Sequence, residues 1–238
     1  ATTYIYTLSL HDALPIYVTA ADVSFHARGK GGGDIAVNGS LNGNRGIRLS
    51  ASAGTAVAGG GNINVTSTLN APSGGVQIRT NGAGGSGGRL NVGAITARSN
   101  VSITDSYHGT AAGFTAKTGA ISAHGLISVT MAGKAAHFSA AGLTAKGSCE
   151  CGANAVRVDL RNPLALFGSS AVINIAGPVL ASQDGIALNP GHGSLISGHG
   201  SVIAGTVTEG AVSGHKGNII RPPRLGACTK QNAYAQNT

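Results

Sequence analysis

A short apolar pattern recurs along this chain, and it constrains the fold more than any single residue does. One unit places apolar residues at Ile35, Val37, Leu41, Ile47 and Leu49, and later units repeat this order. Self-similarity over roughly 20–30 residues is typical of proteins in which each repeat buries its apolar side only by stacking on its neighbours. The sequence therefore predicts an elongated solenoid.

The register is constant inside each unit and varies between units. The lone apolar residue serves as a marker, and most units begin the next strand six or seven residues later. Because side chains alternate along a strand, inward positions should stay apolar while outward positions change freely. The markers are Leu41, Leu69, Ile95, Ile121, Leu143, Leu180 and Val202; the strands that follow begin at Ile47, Val76, Val101, Ile127 and Ile186. One outward column should contain Arg48, Gln77, Ser102, Ser128, Arg157 and Ala187, and a second should contain Ala36, Asn64, Asn91 and Asn174.

Composition favours short strands joined by turns. The chain has 39 Gly among 238 residues and only 4% aromatic residues, yet it is 42% hydrophobic, chiefly through small and β-branched side chains. Segments such as Asn42–Gly43 and Ser73–Gly75 favour turns. We therefore predict an all-β parallel β-helix of roughly seven coils, stacked at the ~4.8 Å strand spacing. The alternative is an antiparallel β-sandwich, which would not explain a marker at a fixed offset.

The repeat pattern divides the chain into three parts. Residues 1–16 resemble a translated sequencing adapter and are expected to be an artefact rather than native sequence. Residues 17–220 form the expected repeat domain, with a loop insert at 146–154. Residues 221–238 begin with a proline-containing segment that cannot continue a strand ladder, so an irregular tail is expected.

Charge and hydropathy argue against two classes of partner. The net charge is +8, but the basic residues are spread over the length without interleaved aromatic residues, so no nucleic-acid partner is expected. A basic surface of this kind is compatible with contacts to anionic glycans. No apolar run approaches the ~18–20 residues of a membrane helix, so no membrane insertion is expected.

Two units resemble a known family. The segments 33–41 (GDIAVNGSL) and 61–69 (GNINVTSTL) are similar to repeats of the filamentous haemagglutinin family, the exoproteins of bacterial two-partner secretion. The resemblance covers about residues 31–130 well and 170–210 less well. It implies a right-handed β-helical shaft, secretion to the cell surface through an outer-membrane pore transporter, and a role in cell adhesion or contact-dependent inhibition. The chain is thus expected to be a fragment of an adhesin shaft that displays a distal binding or toxin domain, with surface glycans of host or neighbouring cells as possible partners.

No catalytic residue is expected, although a polysaccharide lyase on the same fold is the alternative function. Glycosidase chemistry needs a pair of carboxylates, and lyases gather acids with an Arg or Lys base. The acids here fall about one to a coil. The glycine run at 82–87 matches a dinucleotide fingerprint but lacks the helix that would cradle a phosphate, and His192 and His199 lie in glycine-rich turns. The acids are Asp22, Asp34, Asp105, Glu150, Asp159, Asp184 and Glu209.

The cysteines leave several interpretations open. Cys149 and Cys151 are too close for a relaxed disulfide, and Cys228 is the only other thiol. Two thiolates could supply half of a zinc or copper site, with His124 or His137 as candidate nitrogen ligands. A loop carrying free or transiently paired thiols fits the pattern better, and the odd count also allows an intermolecular bridge. The sequence therefore assigns no metal and no cofactor.

Overall fold

The computed structural model shows an all-β chain built from short strands. It describes residues 17–29, 33–53, 61–81, 88–106, 114–132, 136–147, 154–161, 172–181, 185–189, 195–198, 202–203, 207–209 and 219–220. These residues contain no helix, and hence no helix long and apolar enough to cross a membrane. The adapter-like segment 1–16 and the tail 221–238 lie outside the described residues.

The strands follow one another in short succession along the chain. The first ten are β1 (Val18–Gly29), β2 (Ile35–Val37), β3 (Leu41–Ala53), β4 (Ile63–Val65), β5 (Leu69–Ala71), β6 (Gly75–Asn81), β7 (Arg89–Val92), β8 (Ile95–Ala97), β9 (Val101–Asp105) and β10 (Thr115–Ala123). The others are β11 (Ile127–Ala132), β12 (His137–Ala145), β13 (Asn154–Arg161), β14 (Val172–Ile175), β15 (Val179–Ala181), β16 (Gly185–Asn189), β17 (Leu195–Gly198), β18 (Val202–Ile203), β19 (Val207–Glu209) and β20 (Ile219–Ile220).

Each strand pairs in parallel with the equivalent strand of the next coil. The first half of β10 pairs with β7 and its second half with β8, so a single long strand turns from one face of the stack to another. All the pairings among the described strands are parallel, which rules out the antiparallel sandwich. The architecture is a parallel β-solenoid and fits the predicted right-handed class, since parallel crossovers are right-handed in almost all proteins.

Three columns of paired residues define three faces of the solenoid. Face 1 carries Ile35, Ile63, Leu90, Ala116, Phe138, Ile173 and Ile196. Face 2 carries Val18, Leu41, Leu69, Ile95, Ile121, Leu143, Val179, Val202 and Ile219. Face 3 carries Val23, Ile47, Val76, Val101, Ile127, Val156, Ile186 and Val207. The three columns contain seven, nine and eight positions, so the coil count differs from the predicted seven. The columns are unequal because the described strands at the two ends of the stack do not extend over every face.

The predicted face 3 register is confirmed, whereas one marker on face 2 is wrong. The outward column from Arg48 to Ala187 pairs residue by residue as the sequence predicts. In the sixth coil, however, Leu143 pairs with Val179 and not with the predicted marker Leu180. Val179 is buried and Leu180 is only partly buried, so the prediction was shifted by one residue.

The predicted asparagine column is confirmed only in its first part. Asn91 donates from Nδ2 to Oδ1 of Asn64 at 2.8 Å, as a ladder along the stacking axis should. Lys117 and Ser139 then occupy the column before Asn174. The asparagine ladder therefore joins two coils and does not continue through the stack.

Large and small side chains complement each other on the inward side of face 1. Phe114 and Phe138 are both fully buried, and they come from successive coils. The first coil has buried Phe114 and then buried Ala116 two residues later, whereas the second has buried Ala136 and then buried Phe138. The amide of His137 donates to the carbonyl of Phe114 and so joins the two coils. Because the large and the small side chain stand in opposite order in the two coils, each coil contributes one phenylalanine and one alanine to the close-packed core.

The corner between faces 2 and 3 requires glycine. The predicted turn at Ser73–Gly75 is confirmed in its first part, since β6 begins at Gly75. The turn predicted at Asn42 and Gly43 is wrong, because both residues lie inside β3, which bends around the same corner. A Cβ atom on Gly74 would lie 1.4 Å from the carbonyl oxygen of Arg45 in the preceding coil. Backbones therefore approach at this corner more closely than any side chain allows.

Candidate functional site

The described acids are spread over different coils, although Asp22, Asp105 and Asp159 all belong to strands of face 3. Asp34 precedes β2 and accepts hydrogen bonds from the backbone and side-chain nitrogens of Asn62, at 2.8 and 3.0 Å. Asp22 lies at the corner before face 3, and Asp105 and Asp159 are buried. Glu150 and Asp184 lie outside the described residues, and the side chain of Glu209 is not described. The described part of the chain thus provides no carboxylate pair for the lyase alternative.

Two of these carboxylates are buried and shielded from solvent. Asp105 is 3% exposed and accepts a hydrogen bond at 2.9 Å from the hydroxyl of Thr80 in the preceding coil. Asp159 is 2% exposed and accepts one at 3.0 Å from Nη2 of Arg157. Buried carboxylates need such partners, and at this exposure they cannot meet a polymeric substrate.

Replacing Thr80 with valine tests the role of the Asp105 contact. Valine keeps the shape of threonine but removes the donor, so the free energy of unfolding should fall by about 2 kcal/mol, the usual worth of a hydrogen bond to a charged group. Urea unfolding followed by circular dichroism measures this change. Thr115→Val, at an exposed position, is the matched control; equal losses in the two variants would show that the hydroxyl of Thr80 contributes nothing specific.

A groove of about 520 Å³ follows the outer side of face 3. The Arg45 guanidinium pairs with the Asp22 carboxylate at 2.5 Å, and Nε of Arg48 donates to Oε1 of Gln77 at 3.2 Å. Each pair joins one coil to the next, and both side chains of the salt bridge are about half exposed, so the pair adds little stability. The size suits a ligand, but both of its arginines already have a polar partner from the adjacent coil.

A second groove, of about 430 Å³, lies outside face 2 and is lined by a row of basic residues. Arg98, His124 and Lys146 follow the buried alanines 97, 123 and 145 that close face 2 in three successive coils. We call these three residues the basic corner. Their backbone amides donate to the carbonyls of Ala71, Ala97 and Ala123 at 2.9, 3.0 and 3.1 Å, which fixes the three residues one above another.

The basic corner places two positive charges beside a histidine. Desolvation and then the positive charges of Arg98 and Lys146 lower the pKa of His124 below its usual value. Neither salt bridge among the described residues involves Arg98 or His124. An anion placed against the corner would relieve this repulsion.

Sequence reasoning missed the basic corner although a signal for it existed. Each of the three cations lies three residues after a face 2 marker, at Ile95, Ile121 and Leu143. A cation at the same offset in successive repeats predicts a stacked row once the solenoid is assumed. The charge appeared dispersed along the sequence because its members are 26 and 22 residues apart.

The proposed metal ligands are not brought together in the described residues. His124 follows face 2, whereas His137 opens face 1 in the next coil, with its ring Nε2 buried and unpaired. Cys149, Cys151 and Cys228 lie outside the described residues, as do His192, His199 and the glycine run at 82–87. Within the described ranges no group of three His, Cys, Asp or Glu could hold a metal ion.

Comparisons with protein-family models, with curated proteins and with solved structures found no match to this chain.

Proposed function

We propose that this chain is part of the shaft of a secreted or surface-exposed bacterial adhesin, and that it holds a distal binding or toxin domain away from the cell. The observation that carries the proposal is the parallel pairing that links the described strands of successive coils, from β1 to β20. A stack of this kind grows by ~4.8 Å with every coil, so repetition converts directly into reach.

The outer surface also suits a shaft that works in water. Outward positions on face 2 carry Asn42, Asn70, Thr96, Ser122 and Thr144, while their inward neighbours are buried. Hydrogen bonds between adjacent coils, such as the one from the Ser40 hydroxyl to that of Ser67 at 2.8 Å, add stiffness along the axis. Such polar ladders stabilise the stack without creating an apolar surface that would aggregate.

The remaining parts of the proposal come from the resemblance of the segments 33–41 and 61–69 to filamentous haemagglutinin repeats. They are secretion through an outer-membrane pore transporter, location at the cell surface, and contacts with glycans of host or neighbouring cells. Adhesion and contact-dependent inhibition both need a binding or killing domain held at a distance from the cell, and a stiff solenoid provides that distance.

A capture experiment tests the shaft role. The full chain is tethered to beads by its N-terminus, with a small biotin-binding module fused to its C-terminus. We expect the beads to capture biotinylated cells through a dense polymer layer that is thinner than the solenoid, because the module would stand above the layer. The count of captured cells by microscopy is the measurement.

The control replaces the solenoid with a flexible Gly/Ser linker of few residues carrying the same module. A linker of n residues spans only about 5–6 Å × √n, so its module should remain inside the layer. Equal capture with the solenoid and with the short linker would contradict the shaft proposal.

A further inference from the structure

The basic corner differs from the other charged surfaces of the described chain because its cations are stacked. Arg48 and Arg45 on face 3 each have a polar partner from an adjacent coil. In the basic corner the neighbours of His124 are Arg98 in the coil before and Lys146 in the coil after, and these are the titratable side chains that line the groove with it. The positive charges of Arg98 and Lys146 lie one coil on either side of His124 and repel each other, so a bound anion would be attracted to the row.

Hydroxyl and amide groups accompany the cations along the same groove. Asn70, Thr96, Ser122 and Thr144 form the outward column of face 2, one residue per coil, and Pro72 closes one end. A ligand that extends along the solenoid axis would therefore meet a basic residue on one side and a hydrogen-bonding group on the other in each of three coils. Sugar hydroxyls and acid groups in regular alternation match this arrangement.

We propose that the basic corner binds a linear polyuronate, a polysaccharide with one carboxylate on every sugar, aligned with the solenoid axis. Sugars in such a chain follow one another at close to the ~4.8 Å rise of the coils but turn from one to the next, so carboxylates two sugars apart can face Arg98 and Lys146, which lie two coils apart with His124 between them. The inference rests on the proposed function, because it requires the outer surface of a shaft to be exposed to extracellular polysaccharide.

The proposal predicts a direction for the pH dependence. Without ligand the pKa of His124 is lowered, first by desolvation and then by Arg98 and Lys146. A bound carboxylate opposes the two cations and raises this pKa, so binding takes up a proton. By linkage, affinity should increase as the pH falls through the histidine range near ~6.5, where uronate carboxylates remain ionised.

Fluorescence polarisation of a labelled oligogalacturonate with the full chain tests the inference. We expect Arg98→Gln to weaken binding about tenfold, since it removes a charge-assisted hydrogen bond. We expect wild-type affinity to rise several-fold between about pH 7.5 and about pH 5.5, and His124→Gln to abolish this rise while preserving affinity at the higher pH. Arg79→Gln removes the same charge from the exposed outer side of face 3 and should change affinity less than about twofold.

Several outcomes would overturn the inference. Equal losses in Arg98→Gln and Arg79→Gln would indicate nonspecific attraction to the net charge. Binding of dextran sulfate or of a single-stranded DNA oligomer as tight as that of the oligogalacturonate would remove the preference for evenly spaced carboxylates. Absence of oligogalacturonate binding, while the beads still capture cells through the polymer layer, would reject the ligand but leave the shaft proposal standing.

Discussion

Replacing Phe138 with alanine is expected to lower the free energy of unfolding by about 3–5 kcal/mol, the range measured for buried phenylalanine. Phe138 is fully buried, and it pairs with Ala116 in the coil before and with Ile173 in the coil after. Its partner in the coil before is Ala116, whose methyl group is too small to fill the space that the ring would leave. Urea unfolding of the full chain, with the slope compared between variants, measures the loss.

Two further variants separate a cavity from a general disturbance of β12. Lys117→Ala removes an exposed side chain next to Ala116 and should change stability by less than about 0.5 kcal/mol, as surface substitutions usually do. Ala116→Leu added to Phe138→Ala should recover part of the loss, because Leu90 occupies the same column one coil earlier. If Phe138→Ala and Lys117→Ala proved equally mild, the complementary packing of Phe114 and Phe138 would not be a source of stability.

The fold could be read from the sequence where one strict alternation follows one marker. Ile47, Val76, Val101, Ile127 and Ile186 all lie in one column because a single apolar residue precedes each of them at a nearly fixed distance. The sixth marker failed because Val179 and Leu180 are adjacent and both apolar, so alternation alone cannot choose between them. The hydrogen bond from the amide of Leu143 to the carbonyl of Pro178, at 2.9 Å, fixes the choice in the structure.

Surface features were harder to predict because they depend on how coils of unequal length align. Arg98 lies 26 residues before His124 and Lys146 lies 22 residues after it, so their proximity is visible only when the coils are aligned by their markers. The burial of Asp105 also escaped prediction, since a carboxylate at the end of β9 looks like a turn residue in the sequence. Its inward side follows from alternation after Val101 and Ile103, whereas its position opposite Thr80 follows from pairing with β6.

Replacing Gly74 with alanine is expected to destabilise the solenoid by about 3 kcal/mol or more, at the upper end of the cost of overpacking. The new Cβ would lie 1.4 Å from the carbonyl oxygen and 2.2 Å from the carbonyl carbon of Arg45. Both atoms belong to the backbone of the preceding coil, so no side-chain rotation can relieve the clash. The coil would have to move, and that would disturb the bonds from Ser73 to Asn44 and from Ser99 to Gly74, both 2.9 Å long.

Gly46→Ala is the matched control, since Gly46 lies at the same corner one coil earlier. There a Cβ would meet the carbonyl oxygen of Gly75 at 3.3 Å, so the neighbour needs to shift by only a few tenths of an ångström. Alanine also restricts the unfolded chain, which stabilises by about 0.4–1 kcal/mol where the conformation is compatible. Gly46→Ala should therefore change the unfolding free energy little, while Gly74→Ala should lower it strongly in the same urea titration. A Gly74→Ala variant as stable as Gly46→Ala would show that coils can separate at this corner without cost, and the stack would then lack the stiffness that a shaft requires.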